Sequence, residues 1–135
     1  MNEPVANRSK PANCGEQVIF VVDDEAMLLE LAAVILEPCG YDVKTFRDPE
    51  SALRAYAAAQ PAPALLITDY AMHAMNGLEL LEACRRVHPR QRALLLSGTV
   101  GPEVLHNAPC QPDRFLPKPY QAKQLIAAVK SLLAD

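Results

Sequence analysis

Aromatic side chains are scarce in this sequence, which has no Trp, three Phe and four Tyr among 135 residues. A hydrophobic core must therefore be built mainly from Leu, Val, Ile and Ala. Long apolar runs are also missing, since none approaches the ~20 residues that a membrane-spanning helix needs. Residues 1–16 contain no apolar stretch that resembles the core of a secretory signal. We therefore expect a cytoplasmic protein without a membrane segment.

Positive charge and paired cysteines are lacking as well. The formal net charge of -3 provides no basic surface for a phosphate backbone, so we expect no nucleic-acid binding. The four cysteines are far apart and form no CxxC pair, which argues against a zinc site and against structural disulfides: Cys14, Cys39, Cys84 and Cys110. A glycine-rich turn is also absent after the first apolar run, which excludes a dinucleotide-binding oxidoreductase.

The chain alternates between short apolar runs and segments of helical periodicity. Residues 1–16 have no periodicity and are predicted to be a flexible tail, and residues 17–135 to form one domain. Strands are predicted at 17–22, 41–45, 64–68, 92–96 and 113–116, and helices at 25–38, 48–59, 77–88 and 120–133. This alternation predicts an α/β fold, a doubly wound five-stranded parallel sheet with helices on both faces. The segment 102–107, followed by Pro109 and Pro112, predicts a short or irregular fourth helix.

Polar residues follow the predicted strands at the points where the strands end. Asp23 and Asp24 come after the first strand, Asp69 after the third, Ser97 after the fourth and Lys118 after the fifth. Ligands of doubly wound sheets bind at this carboxyl edge. Several carboxylates placed together repel one another, and Mg²⁺ resolves this because it prefers oxygen ligands. Asp69 is then a candidate nucleophile for a phosphoryl group, with Lys118 and Ser97 as partners of the phosphate oxygens.

Four fragments in this order, VVDDE, LLITD, LLLSG and FLPKP, resemble the receiver domain of two-component response regulators. The resemblance covers roughly residues 17–134 and implies a flavodoxin-like fold. It implies that Asp69 is the phosphoacceptor and that Mg²⁺ is held by Asp24 directly, Asp23 largely through water, Asp69 and the backbone carbonyl of Ala71. It also implies that Lys118 contacts the phosphate and that Ser97 and Phe115 are switch residues, although Phe115 is as readily explained as a core aromatic.

Two positions near Asp69 depart from the family pattern. His73 stands where family members often have Pro, so the loop loses a fixed φ angle and gains a titratable group. Ala71 offers no polar side chain to position an attacking water, which leaves the lifetime of the phosphate open. Four prolines after Ser97 disturb the region in which the family changes on phosphorylation: Pro102, Pro109, Pro112 and Pro117.

The expected function is that of a signalling module and not of an enzyme. The resemblance implies a histidine kinase or phosphotransfer protein as phosphodonor and a downstream protein target as output. Because the chain ends after the last helix, we expect no DNA-binding or enzymatic output domain. Two alternatives remain: a receiver-like binding module whose site has decayed, and a small phosphohydrolase with an aspartyl-phosphate intermediate. The phosphohydrolase is disfavoured because such enzymes usually have a second acid at the position of Ala71 and a large cap.

Overall fold

A computed structural model describes residues 17–99, 101, 103 and 106–134. Within these residues, strands and helices alternate along most of the chain. We number in chain order those helices whose bounds are described. The elements are β1 Val18–Val22, α1 Ala26–Leu36, a 3₁₀ turn Glu37–Cys39, β2 Asp42–Phe46, α2 Pro49–Ala58, β3 Leu65–Asp69, α3 Gly77–Val87, β4 Ala93–Ser97, β5 Arg114–Pro117 and α4 Ala122–Leu133.

The five strands form a single sheet in the order β2-β1-β3-β4-β5, and every pair of neighbours is parallel. Parallel neighbours require crossover connections. Helices α1, α2 and α3 lie in the connections from β1 to β2, from β2 to β3 and from β3 to β4. The order reverses between β1 and β3, because the chain first proceeds from β1 to β2 on one side and then to β3 on the other. This is the switch point at which doubly wound sheets bind ligands. The predicted fold class is confirmed.

Apolar residues cover both faces of the sheet. In β1, Ile19 and Val21 point towards α1 and α4, whereas Phe20 and Val22 point towards α2 and α3. This alternation follows from the two-residue period of a strand. It explains why the central strands are apolar except at their carboxyl ends, since both of their faces lie in a core. All five residues of β3 and all five of β4 are buried.

The helix ends follow capping chemistry. The carboxylate of Asp48 accepts a hydrogen bond from the Ser51 amide at 2.7 Å, with Pro49 in the first turn, as the sequence predicts. Gly40 ends the first helical segment with a φ of 100°. The predicted bounds of all four helices were too wide. The differences are largest in the first, where Pro38 belongs to the 3₁₀ turn, and in α4, which begins two residues after Tyr120.

Two predicted segments fall partly or wholly outside the described residues. Of the predicted fourth helix, Glu103 and His106 are helical and Asn107 lies in a turn. Its other residues, Pro102, Val104 and Leu105, lie outside the described residues. The predicted tail at 1–16 lies entirely outside. Among the described residues, no helix has the length and apolar character required to cross a membrane.

Candidate functional site

The predicted site residues meet at the carboxyl edge of the sheet, where backbone hydrogen bonds continue the strand pairing. The Asp23 amide donates to Phe46 at 3.1 Å, and the Lys118 amide donates to Ser97 at 2.8 Å. Asp69 and Ser97 are themselves the last residues of β3 and β4, because each strand ends one residue later than the sequence predicts. The side chains of Asp23, Asp69, Ser97 and Lys118 therefore project from backbone that is held by the sheet.

Three carboxylates and one amine are in contact at this edge. Carboxylate oxygens of Asp23, Asp24 and Asp69 all lie within 4.8 Å of one another. The Lys118 Nζ lies 3.0 Å from Asp23 Oδ2 and 3.1 Å from Asp69 Oδ1. Asp23 also accepts a hydrogen bond from the Glu25 amide at 3.0 Å, which joins it to the beginning of α1. The ammonium group thus bridges two acids that come from different strands.

Burial sets the protonation behaviour of these groups. Asp69 is 7% exposed, and loss of solvent raises its pKa above the ordinary value of 3.8; Lys118 opposes this shift, while Asp23 and Asp24 add to it. For Lys118, burial alone would lower the pKa, but the hydrogen bonds and charges of Asp23 and Asp69 outweigh it and the pKa is raised. Lys118 is therefore a permanent cation at neutral pH.

The donor set fits a hard divalent cation. Three carboxylates carry more negative charge than one lysine can neutralise, and their oxygens converge from β1 and β3. Mg²⁺ takes oxygen ligands and keeps several waters, so it needs only a few protein ligands at such an edge. Ala71 lies two residues beyond Asp69 in an exposed position, and the role of its carbonyl group stays a prediction.

Ser97 and Phe115, the predicted switch residues, lie on adjacent strands. Ser97 is 2% exposed, and its hydroxyl accepts a hydrogen bond from the Thr99 amide at 3.2 Å. Phe115 is half-buried and packs in a small cluster with Leu78 and Tyr70. The cluster connects Phe115 to the residue that directly follows Asp69. The packing accommodates both explanations of Phe115, as a core aromatic and as a switch residue.

The loop after β3 brings α3 very close to Asp69. The Gly77 amide donates to Tyr70 at 2.8 Å, and a β-carbon on Gly77 would lie only 2.4 Å from the Asp69 carbonyl oxygen. Within this loop His73 is exposed, and Ala74 has a φ of 77°, a left-handed conformation that is unfavourable for a residue with a side chain. The requirement for glycine at this position was not predicted from the sequence, although Asn76-Gly77 before a helical pattern is a signal for a special turn.

Arg85 on α3 anchors the proline-rich segment that precedes β5. Its guanidinium group donates to the Gln111 carbonyl at 2.6 Å and to the Asp113 carboxylate at 3.0 Å. Asp113 in turn accepts a hydrogen bond from the Ala93 amide at 2.8 Å. This link was also missed, because no local pattern relates side chains that are so distant along the chain.

Comparison with known proteins agrees with this geometry. The family model "Response regulator receiver domain" matches residues 19–130. The nitrogen assimilation regulatory protein NtrX of Azorhizobium caulinodans is 34% identical over 85% of this chain and 26% of its own length. The DNA-binding response regulator MtrA of Mycolicibacterium paratuberculosis is 29% identical over 87% of this chain and 51% of its own length. The chain thus spans between a quarter and a half of the length of these relatives.

Solved structures share the fold. A receiver domain protein described as CheY-like, from Methanospirillum hungatei JF-1, has a TM-score of 0.81 and 24% identity, and the match covers 88% of this chain and 94% of that one. The family match extends over most of the sequence and includes all four strand ends that carry the site residues. The chain belongs to the receiver-domain family of two-component response regulators.

Proposed function

We propose that this receiver domain is phosphorylated on Asp69 by a partner histidine kinase, in a reaction that depends on Mg²⁺. The observation that carries the proposal is the position of Lys118 Nζ, 3.1 Å from Asp69 Oδ1 and 3.0 Å from Asp23 Oδ2. Such an ammonium group can pair with the oxygens of a phosphoryl group attached to Asp69.

The transfer needs a nucleophile, a donor and charge compensation. A carboxylate oxygen of Asp69 attacks the phosphorus of a phosphohistidine, forming a P–O bond while the P–N bond breaks and the histidine nitrogen keeps the electron pair. The ammonium group of Lys118 stabilises the negative charge of the phosphoryl oxygens. Bound Mg²⁺, held by Asp23, Asp24 and Asp69 with the Ala71 carbonyl, would neutralise charge that builds up during transfer.

The consequence of phosphorylation is a change in protein contacts or a relay of the phosphoryl group to another protein. The hydroxyl of Ser97 and the ring of Phe115 are the proposed elements that respond to the added charge. Curated relatives include regulators that are named DNA-binding, so the expected absence of nucleic-acid contact stays a prediction for any longer protein that contains this domain. The predicted cytoplasmic location also stays a prediction.

Acetyl phosphate tests the chemistry without any partner protein. With Mg²⁺, intact-mass measurement should show one phosphoryl adduct that hydroxylamine removes, and chelation of Mg²⁺ should abolish it. Asp69→Asn should gain no adduct, whereas the matched control Asp42→Asn, at the other end of the strands, should behave like the wild type. A wild type without adduct would support the decayed module, and turnover of a phosphate ester would support the phosphohydrolase.

A further inference from the structure

A cavity of about 660 Å³ lies between the strands β1 and β2, the last turn of α2 and the loop that follows this helix. We call it the α2 cavity. Its lining is apolar except for Gln17, Lys44 and Gln60. Binding sites for small molecules typically have volumes of about 300–1,000 Å³ and a mostly apolar lining with a few polar groups. The α2 cavity therefore has the size and the lining of a small-molecule site.

Small side chains at the end of α2 keep the cavity open. Ala55 in α2 and Ala59 at its carboxyl end are four residues apart, and both line the cavity. The loop that follows adds only compact side chains to the lining, those of Pro61, Ala62 and Pro63. A leucine at position 55 would fill much of the space. The open cavity is thus a property of this sequence and not of the backbone alone.

Two aromatic rings form one wall of the α2 cavity. The ring centroids of Phe20 and Phe46 are 4.9 Å apart, with an interplanar angle of 51°. Phe20 is 5% exposed and lies deep, whereas Phe46 is half-buried. Aromatic rings prefer offset or edge-to-face contacts with other rings, at centroid distances of about 4.5–7 Å. This wall therefore favours a ligand with an aromatic body.

A single charged group lies at the rim. Of the described residues that line the α2 cavity, Lys44 alone is charged. Lys44 and Phe46 are two residues apart in β2 and therefore lie on the same face of the sheet. The Lys44 Nζ lies 3.7 Å from Asp42 Oδ2, but these side chains are 55% and 40% exposed, and an exposed pair of this kind is weak. The ammonium group is therefore available to an incoming anion.

The charge at the rim matches a carboxylate. A carboxylate has one negative charge on two oxygens, so it can pair with Lys44 and accept a hydrogen bond from the amide of Gln17 or Gln60. A phosphate monoester has a charge of about −1.5 to −2 at neutral pH, which one lysine would not neutralise. Residues 1–16 of this chain contain only two large apolar side chains, Met1 and Val5, and so offer little to fill the cavity.

We propose that the α2 cavity binds a small carboxylic acid with an aromatic body, the ring against Phe20 and Phe46 and the carboxylate beside Lys44. The occupant is a molecule of metabolite size and not a protein segment. Neither Asp69 nor Lys118 lines this cavity, so the site goes beyond the proposed function and its occupancy requires no phosphoryl group.

Binding of 4-phenylbutyrate to the full chain, followed in two-dimensional ¹H–¹⁵N NMR spectra without Mg²⁺ or phosphodonor, tests the proposal. The neutral analogue 4-phenylbutan-1-ol has the same body and no charge. Ala55→Leu fills the cavity, and Ala57→Leu, at an exposed position of the same helix, is its matched control. Lys44→Gln removes the charge at the rim, and Lys130→Gln, at an exposed position of α4, is its matched control.

The acid should bind saturably with a dissociation constant below about 1 mM, as expected of a ligand with about twelve non-hydrogen atoms. The largest shift changes should fall on the amides of Phe20, Lys44 and Ala59. Ala55→Leu should weaken binding by about ten-fold or more, because the ligand would overpack the filled cavity. Lys44→Gln should weaken binding of the acid by about three- to five-fold, as for an exposed ion pair, and leave binding of the alcohol unchanged. Both control variants should bind the acid as the wild type does.

Equal affinities of Ala55→Leu and the wild type for the acid would overturn the proposal, and so would a lack of saturation or shift changes centred outside the cavity. If Ala55→Leu does not fold, Lys44→Gln decides, because an equal effect on the acid and the alcohol would exclude the carboxylate pairing. Nuclear Overhauser contacts between Val5 and the ring of Phe46 in the free protein would overturn the proposal in favour of residues 1–16. Because no phosphodonor is present, failure of this test leaves the proposed phosphorylation of Asp69 intact.

Discussion

Replacing Gly77 with Ala should destabilise the fold and slow phosphorylation together. The added β-carbon would lie 2.4 Å from the Asp69 carbonyl oxygen and 2.8 Å from Leu95 Cδ1. Leu95 can move its terminal methyl group, but the Asp69 backbone is held in the sheet. Because ordinary C···O contacts begin near ~3.3 Å, the first turn of α3 or the end of β3 must shift by about 0.9 Å.

The cost of that shift follows from measured overpacking. Forcing a methyl group into a filled site typically costs about 1–3 kcal/mol. The higher helix propensity of Ala offsets at most about 1 kcal/mol, and less at the first position of a helix. For a domain of this size we expect a fall in Tm of roughly 3–5 °C per kcal/mol of lost stability. The rate of phosphorylation by acetyl phosphate should fall as well, because Asp69 itself is displaced.

Urea and thermal denaturation measure the loss of stability in Gly77→Ala. The rate of adduct formation with acetyl phosphate measures the loss of phosphorylation. Gly98→Ala is the matched control, since its added β-carbon would meet Lys118 Cβ at an ordinary 3.5 Å. The control should stay within about 0.5 kcal/mol of the wild type, as surface substitutions usually do. Equal stabilities for Gly77→Ala and the wild type would show that the close approach of α3 to the Asp69 carbonyl does not require glycine.

Three further predictions concern a buried hydroxyl, a helix cap and the acidic cluster. Tyr56→Phe should lower the free energy of unfolding by about 1–3 kcal/mol in urea denaturation, because Gln91 Oε1 loses a buried donor at 2.7 Å. Burial raises the pKa of Tyr56 from 10.0 to about 12, so the folded protein keeps a proton that the unfolded chain loses. Wild-type stability should therefore fall as the pH rises from about 10 to 12, by about 1.4 kcal/mol at pH 11 from this group; an equal decline in Tyr56→Phe would contradict this. Asn76→Ala removes the capping box with Glu79 and should cost about 1 kcal/mol in the same assay, and no loss would show that the cap is dispensable. Mg²⁺ at ten times its dissociation constant should stabilise the protein against heat by about 1.4 kcal/mol relative to EDTA, Asp24→Asn should reduce this gain, and an identical gain in the variant would exclude Asp24 as a ligand.

The sequence predicted those features that depend on local pattern. The alternation of short strand-like runs with helical segments predicted the strands, and their parallel arrangement placed the residues after them at one edge. This is why Asp23, Asp69 and Lys118 could be expected to meet, and the distances of 3.0 and 3.1 Å show that they do. Their chemical roles are still a matter for experiment.

Features that depend on side chains meeting across the fold were not predictable in this way. The link from Arg85 to Asp113 joins residues 28 positions apart, and neither residue has an unusual local setting. The hydrogen bond from Tyr56 to Gln91 spans 35 positions and lies at the opposite end of the strands from the site. The contact between Gly77 and Asp69 depends on how closely α3 approaches β3, which helical periodicity does not determine.

The backbone hydrogen bonds at the carboxyl edge have a consequence for engineering. Because the Asp23 and Lys118 amides are paired with neighbouring strands, the charged groups are positioned by the sheet and not by the loops that follow. The loop that contains His73 and Ala74 could therefore be exchanged for that of another family member while Asp23, Asp69 and Lys118 stay in place. Such loop chimaeras would test whether the loop sets the lifetime of the proposed phosphate on Asp69 independently of its formation.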